Sequence, residues 1–316
     1  MARKHIFVVD GNSIAHANHN GMTLTVGETQ VQAIFGVLKT LRATLRDDPG
    51  SEIIVLWDGR AQFRVNLFAE YKGNRAEMDD KQLAHKQAFR AQMPILEKAL
   101  SLLGVRQFRS PLLEADDLAG IVIPQLLAVG YRVTMLSGDR DWLQQVGAFC
   151  MWKDPIKNRS VGTANFLEFT GYFTTDAFVQ GKALQGDSSD NINGIAGMGE
   201  KTAALFLAKW KDVREFFKAV DSGSYAPAKR ASKKSTSLHP EQILASPEGR
   251  ALFERNMKLM DWKLSRRPEA GEIIKAPTCA NAAGFERLCQ ALAFQSILRE
   301  LPAFLSAFNI SSPAKA

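Results

Sequence analysis

Three acidic positions close three strand-like runs: Asp10 follows IFVV, Asp58 follows IIVLW, and Asp139, with Asp141 behind it, follows VTMLS. Glu114, Asp116 and Asp117 fall within LLEADDLAG, where a helix begins, and Asp187 and Asp190 form another pair in QGDSSDNINGI. Capping and the helix dipole account for one or two acids at a helix start. They do not account for three beside acidic strand ends, because like charges that close repel by roughly several kcal/mol unless cations neutralise them. The set contains only carboxylates. Oxygen-only ligation suits a hard ion, Mg²⁺ or Mn²⁺, and argues against zinc or copper.

Two further groups carry the opposite charge or expose backbone. In EYKGNR, Tyr71 precedes Lys72 and Arg75, which are spaced to share one side of a helical turn, and arginine can grip a phosphate with two prongs. In GIAGMGEKTA, Gly194, Gly197 and Gly199 precede Lys201. A nucleotide-binding P-loop needs glycine and lysine adjacent, and Glu200 separates them here. Backbone N–H groups at a helix start, bared by glycine, could still meet a phosphate, whereas a plain interhelical turn is the alternative.

The acids converge only if the elements carrying them form a parallel sheet. Residues 5–9, 53–57, 105–108, 132–137 and 149–152 read as strands and alternate with helical runs: Val31, Phe35, Leu38, Leu41 and Leu45, then Leu96, Leu100 and Leu103, then residues 118–127. That alternation is the pattern of an α/β fold with a central, mostly parallel sheet flanked by helices. The carboxyl ends of parallel strands are where ligands bind, so Asp10, Asp58 and Asp139 would meet in one crevice. Beyond about residue 165 the strand signal fades and helices dominate. The reading is therefore a core over 1–164 and a mainly helical region over 165–316, with a Lys-, Ser- and Ala-rich loop at 221–240 that carries Lys229, Arg230, Lys233 and Lys234.

Composition agrees with a soluble globular chain of 316 residues, 46% of them apolar, and the net charge of +7 with a pI near 9.3 favours a polyanionic partner. With nine acids committed to one site, 24 remain against 40 Lys and Arg. No apolar run approaches the roughly 20 residues that span a bilayer. The N-terminus has no signal-peptide pattern, and the three cysteines form no CxxC pair. A cytoplasmic setting with reduced thiols is expected.

Taken in order, VVDGN, WDG, EYKGNR, EADD, SGDRDW and GDSSDNINGIAGMGEKTA resemble the 5′-nuclease family that includes bacteriophage flap endonucleases and the 5′-nuclease domain of bacterial DNA polymerases. The resemblance runs along almost the whole chain. It implies a PIN-like, resolvase-like core, a helical arch over about residues 60–92, and a helix-hairpin-helix at about 186–210. It also implies two metal ions, with Glu114, Asp116, Asp117 and Asp139 nearer one and Asp141, Asp187 and Asp190 nearer the other. Asp10 and Asp58 would act mainly through metal-bound water. Lys72 and Arg75 would position the scissile phosphate from an arch that is mobile without DNA, and Tyr71 would stack on or near a nucleotide. Gly194, Gly197, Gly199 and Lys201 would hold duplex backbone, with a monovalent cation such as K⁺ in the turn.

The implied partner is DNA with duplex and single-strand junctions, and the implied activity is 5′-flap endonuclease and 5′ to 3′ exonuclease cleavage. A monomer is the simplest expectation. A PIN-type metal-dependent ribonuclease and a non-catalytic junction-binding protein are the alternatives. One departure from the family pattern is the absence of an aromatic-Arg pair after the first DG, where DGNSIAHANHN places His16 and Ala17. Asn12, His16 or His19 could make the missing contacts, although the histidines could equally be surface residues. No polymerase region follows, so the chain resembles a free-standing phage-type enzyme.

Overall fold

The computed structural model describes residues 3–73, 79–226, 238–269 and 271–311. The elements in chain order begin with β1 (His5–Asp10), α1 (Gly11–Gly21), the small hairpin β2 (Thr25–Val26) and β3 (Thr29–Gln30), α2 (Gln32–Asp47), β4 (Glu52–Trp57), α3 (Gln62–Leu67) and α4 (Asp80–Leu102). Next come β5 (Arg106–Arg109), α5 (Ala115–Ala128), β6 (Arg132–Leu136), β7 (Cys150–Asp154) and β8 (Arg159–Val161). The helical part comprises α6 (Phe166–Thr170), α7 (Thr175–Gln185), the short pair β9 (Gly186–Asp187) and β10 (Ile192–Asn193), α8 (Glu200–Trp210), α9 (Val213–Asp221), α10 (Pro240–Ala245) and α11 (Pro247–Met260). The chain closes with β11 (Ile274–Lys275), α12 (Ala282–Ala291), α13 (Gln295–Arg299) and α14 (Leu301–Ala307).

Seven strands form the main sheet in the order β11-β5-β4-β1-β6-β7-β8, parallel except at its two edges, where β11 and β8 pair antiparallel. The expected parallel core is present. Alternation along β1 shows why it is buried on both faces: Ile6 and Val8 enter one apolar cluster, Phe7 and Val9 the other. The first cluster takes in α5 and side chains of α7, α8, α9 and α11, and the second takes in α1, α2, α4, α12 and α14. The chain runs outward from β1 through β4 to β5, then crosses back to place β6 on the other side of β1. That reversal opens a crevice beside the carboxyl ends of β1, β4 and β6.

Two details depart from the sequence reading. The strand signal does not end near residue 165, because Ile274 and Lys275 return to pair with Arg109 and Phe108, and Phe285 and Phe304 then pack into the core against the sheet's second face. Two residues are too short for a periodic signal, and their pairing with an edge strand is visible only in three dimensions. Helix α4 begins at Asp80, inside the expected helical arch: Asp79 caps it by accepting from the Gln82 N–H at 2.7 Å, while the Gln82 side chain accepts from the Asp79 N–H at 3.1 Å. Lys72 is not on a helix but in a turn with φ of 57°, and its N–H donates to the Asp190 carbonyl at 3.0 Å. Among the described residues no helix is long and apolar enough to cross a membrane.

Candidate metal centre and nucleic-acid interface

Asp10, Asp58 and Asp139 stand at the carboxyl ends of three adjacent strands, and α5 brings Glu114, Asp116 and Asp117 to the same opening. Asp10 is 5% exposed; its carboxylate caps α1 by accepting from the Ser13 N–H at 2.9 Å and also accepts from the Ser137 hydroxyl at 2.8 Å. Asp58 accepts from the Ala115 N–H at 2.9 Å, and its own N–H donates to the Asn12 side chain at 3.1 Å. Asp116 accepts from the Trp142 indole N–H at 2.8 Å. Asp139 accepts from the Asp141 N–H at 2.8 Å. Each carboxylate is thus aimed by a rigid neighbour.

The electrostatics of these acids record their crowding. Burial, then the charge of Asp58, pushes the Asp10 carboxyl up to about 8, with Asp139 adding to the repulsion. Desolvation and the charges of Asp139, Asp10, Asp58 and Glu114 raise Asp116 well above the usual carboxylate range. Asp139, which reaches solvent at the rim, is raised to about 7 by desolvation and by Asp141 and Asp187. Acids that hold protons near neutrality in the absence of a cation release them to one.

The remaining acids meet cationic side chains. Lys72 places its ammonium 2.6 Å from Glu114 Oε1 and 3.6 Å from Asp190 Oδ2. Lys182, on α7, lies 3.0 Å from Asp141 Oδ1 and 3.1 Å from Asp187 Oδ2. Burial works against the Lys182 charge, but the two carboxylates outweigh it and raise its pKa, and burial of Asp187 is likewise outweighed by Lys182, which lowers its pKa. Among the described residues no three His, Cys, Asp or Glu side chains stand close enough to hold an ion in this arrangement. The donor set nonetheless fits divalent cations. It is all oxygen, its inner members repel one another, and its outer members are bridged by single positive charges.

Tyr71 is a correction to the expectation of a nucleotide platform. It is 8% exposed, its hydroxyl donates toward Glu114 at 2.9 Å and Asp190 at 3.0 Å, and its ring packs with Ala61, Ile192 and Leu259. An apolar ring beside two acids is buried where its hydroxyl can satisfy them. Arg75 lies outside the described residues. His19 is buried at 2% exposure against the Gln32 and Gln92 amides, and His16 stacks on Phe89 with ring centroids 3.6 Å apart, so neither histidine joins the acids.

The second motif links α7 to α8. A side chain at Gly194 would meet the Gln185 backbone at 2.1 Å, and Gly197 has φ of 80°, so both positions require glycine. Gly199 is the N-cap of α8 without a capping side chain, open space surrounds it, and exposed Lys201 follows in the first turn. The first N–H groups of α8 therefore face outward, toward any anion that docks there.

Three residues that contact the clustered acids escaped the sequence reading. Lys182 carried a faint signal, as a lysine on a largely buried helix five residues before Asp187. Ser137, which holds Asp10, stood only as the first residue of SGDRDW with no role given, and Arg64, which is 3% exposed and reaches Asp117, carried none.

Residues 5–171 match the family described as 5′-3′ exonuclease, N-terminal resolvase-like domain, and residues 173–248 match 5′-3′ exonuclease, C-terminal SAM fold. The chain is 32% identical over 245 residues to DNA polymerase I of Mycobacterium tuberculosis, covering 73% of this chain and 26% of that protein. It is 30% identical over 230 residues to the thermostable DNA polymerase I of Thermus filiformis, covering 69% and 25%. The chain thus spans about a quarter of the length of these relatives. Its fold is similar to the bacteriophage T5 flap endonuclease solved with DNA and metal ions, at a TM-score of 0.67 and 20% identity over 97% of this chain and 100% of that one. It is also similar to the catalytic core of Rad2 with a DNA substrate, at 0.56 and 14% over 96% and 92%. The crevice of acids at the strand ends and the paired domain matches together place the chain in the 5′-3′ exonuclease family.

Proposed function

We propose that this chain is a structure-specific 5′-nuclease that hydrolyses DNA phosphodiester bonds at 5′ flaps and 5′ ends in replication or repair. The observation that carries the reading is the crevice that gathers acids from the ends of β1, β4 and β6 and the start of α5, where burial and then the charge of Asp58 raise the Asp10 carboxyl to about 8. Asp10, Asp58, Glu114, Asp116, Asp117, Asp139, Asp141, Asp187 and Asp190 would hold two divalent ions, Mg²⁺ or Mn²⁺. Such ions, when bound, supply Lewis acidity and an activated water for in-line displacement.

The protein's own groups supply positioning. Lys72 and Lys182, which now bridge acid pairs, are placed to move onto phosphate oxygens when the acids are otherwise neutralised. Arg75 would join Lys72 over the scissile phosphate. Tyr71 keeps Glu114 and Asp190 at a fixed separation through its hydroxyl. Ser137 and the α1 N-terminus keep Asp10 oriented. The outward N–H groups of α8, with Gly194, Gly197, Gly199 and Lys201, would grip duplex backbone without reading sequence, with a K⁺ ion able to share that turn. The similarity to the T5 flap endonuclease with DNA and metal ions supports this reading. A monomer acting in the cytoplasm completes it.

The test is incubation of the purified chain with a 5′-labelled flap, a matching blunt duplex and a single strand, each with Mg²⁺ or EDTA. Mg²⁺-dependent release of the flap is expected. Tight binding without cleavage would mark a junction-binding protein instead, and a preference for single-stranded RNA would mark a PIN-type ribonuclease.

A further inference from the structure

Asp117 differs from the other acids of the crevice in having no surface: its exposure is 0%. Its Oδ1 accepts from Arg64 Nη2 at 2.6 Å and from the Ser265 hydroxyl at 2.8 Å. Its Oδ2 accepts from Arg64 Nη1 at 2.7 Å and from the Glu114 N–H at 3.0 Å. An ionised carboxylate offers about four lone-pair directions, and all are taken. A metal ligand must keep one pointed at the ion.

Arg64 is equally committed. Its Nε donates to the Leu259 carbonyl at 2.8 Å, and Nη1 also donates to Glu114 Oε2 at 3.2 Å. One guanidinium therefore joins α3, at the foot of the segment that leads to Lys72, to the start of α5 and the end of α11. The planar fork of arginine satisfies this geometry and lysine does not.

We infer that Asp117 is not a metal ligand, and that Arg64 and Asp117 form a buried positioning pair that orients Glu114 and the acidic start of α5 toward the ions. The inference rests on the proposed metal site and narrows it to eight ligating acids. Asp117 fixes the backbone N–H of Glu114 while Arg64 fixes its side chain, so the pair sets both ends of one ligand. Outer contacts of this kind tune metal affinity without changing the number of ions.

Calorimetric titration of the full chain with Mn²⁺ tests it. Asp117→Asn is expected to bind as many Mn²⁺ ions as the unaltered chain, about 10-fold more weakly, whereas Asp116→Asn loses an ion. A folded Asp117→Asn protein, checked by circular dichroism, that binds one ion fewer would overturn the inference. Since Asn would leave the Arg64 charge buried without its partner, the pair Arg64→Met with Asp117→Leu removes both charges and provides a second variant. It should fold, keep the ion count, and cleave a flap about 100-fold more slowly in single turnover with KM little changed, as a misplaced ligand would dictate. Loss of an ion, or an unchanged rate, in this double variant counts against it. If the unaltered chain binds no Mn²⁺, the proposed function falls as well; loss confined to the Asp117 variants overturns the reassignment alone.

Discussion

Replacing Asp10 with asparagine should stabilise the protein in the absence of divalent ions while abolishing Mg²⁺-dependent cleavage. The folded chain raises the Asp10 pKa from 3.8 to about 8, first by burial and then by repulsion from Asp58. A raised carboxyl pKa means the native state holds the proton more tightly than the unfolded one. Stability is therefore intact below about pH 4, falls as pH rises, and levels off once pH passes about 8. At pH 7 the gap from 3.8 spans about three units, which at about 1.4 kcal/mol each costs on the order of 4 kcal/mol. Asp116 and Asp139 share the same repulsion, so their costs do not add to this in full. The substituted amide would keep an oxygen for the Ser13 N–H, and the Ser137 hydroxyl can turn to accept from its NH₂ group.

The assay is thermal unfolding in EDTA and in Mn²⁺ between pH 5 and 9. In EDTA the unaltered chain should melt at progressively lower temperature as pH rises. Asp10→Asn should flatten that slope and raise the melting temperature at pH 8 by roughly 5 °C or more. Mn²⁺ should flatten the slope for the unaltered chain. Melting in EDTA that ignores pH, or an Asp10→Asn variant less stable than its parent at pH 8, would refute the electrostatic account of the crevice.

Lys72→Ala should slow single-turnover cleavage by about 100-fold or more while leaving duplex affinity within a few-fold, read by quench-flow and fluorescence anisotropy; weaker binding with an unchanged rate contradicts the role given to this ammonium. Lys182→Met should lower the melting temperature in EDTA more than in Mn²⁺, since only in EDTA are Asp141 and Asp187 left with no cation between them. Equal losses in both conditions would mean Lys182 acts through packing. Gly194→Ala should cost about 1–3 kcal/mol in denaturant unfolding, because its Cβ would sit 2.1 Å from the Gln185 backbone. It should also weaken duplex binding, and a variant as stable as the parent would show that the turn can relax.

The acids at the ends of β1, β4 and β6 were legible as a group because each follows an apolar strand, and the carboxyl ends of neighbouring parallel strands fall at one edge of the sheet. The parallel sheet was legible for a related reason, since a strand buried on both faces must be an unbroken apolar run, as IFVV and IIVLW are. Tertiary structure alone decided which acids face the crevice and which face inward. Asp116 and Asp117 are neighbours in sequence, yet one accepts from an indole at the site and the other disappears behind it onto Arg64, which lies 53 residues away. The same holds for Tyr71, whose ring could serve DNA or the core, and for Lys182, whose charge has meaning only because α7 lays it between Asp141 and Asp187. The return of Ile274 and Lys275 to the sheet edge likewise has no local signal. Residue type and spacing determine which chemistry is possible along the chain; the packing of α3, α5, α7 and α11 around one opening determines which side chains reach it, because that depends on partners far away in sequence.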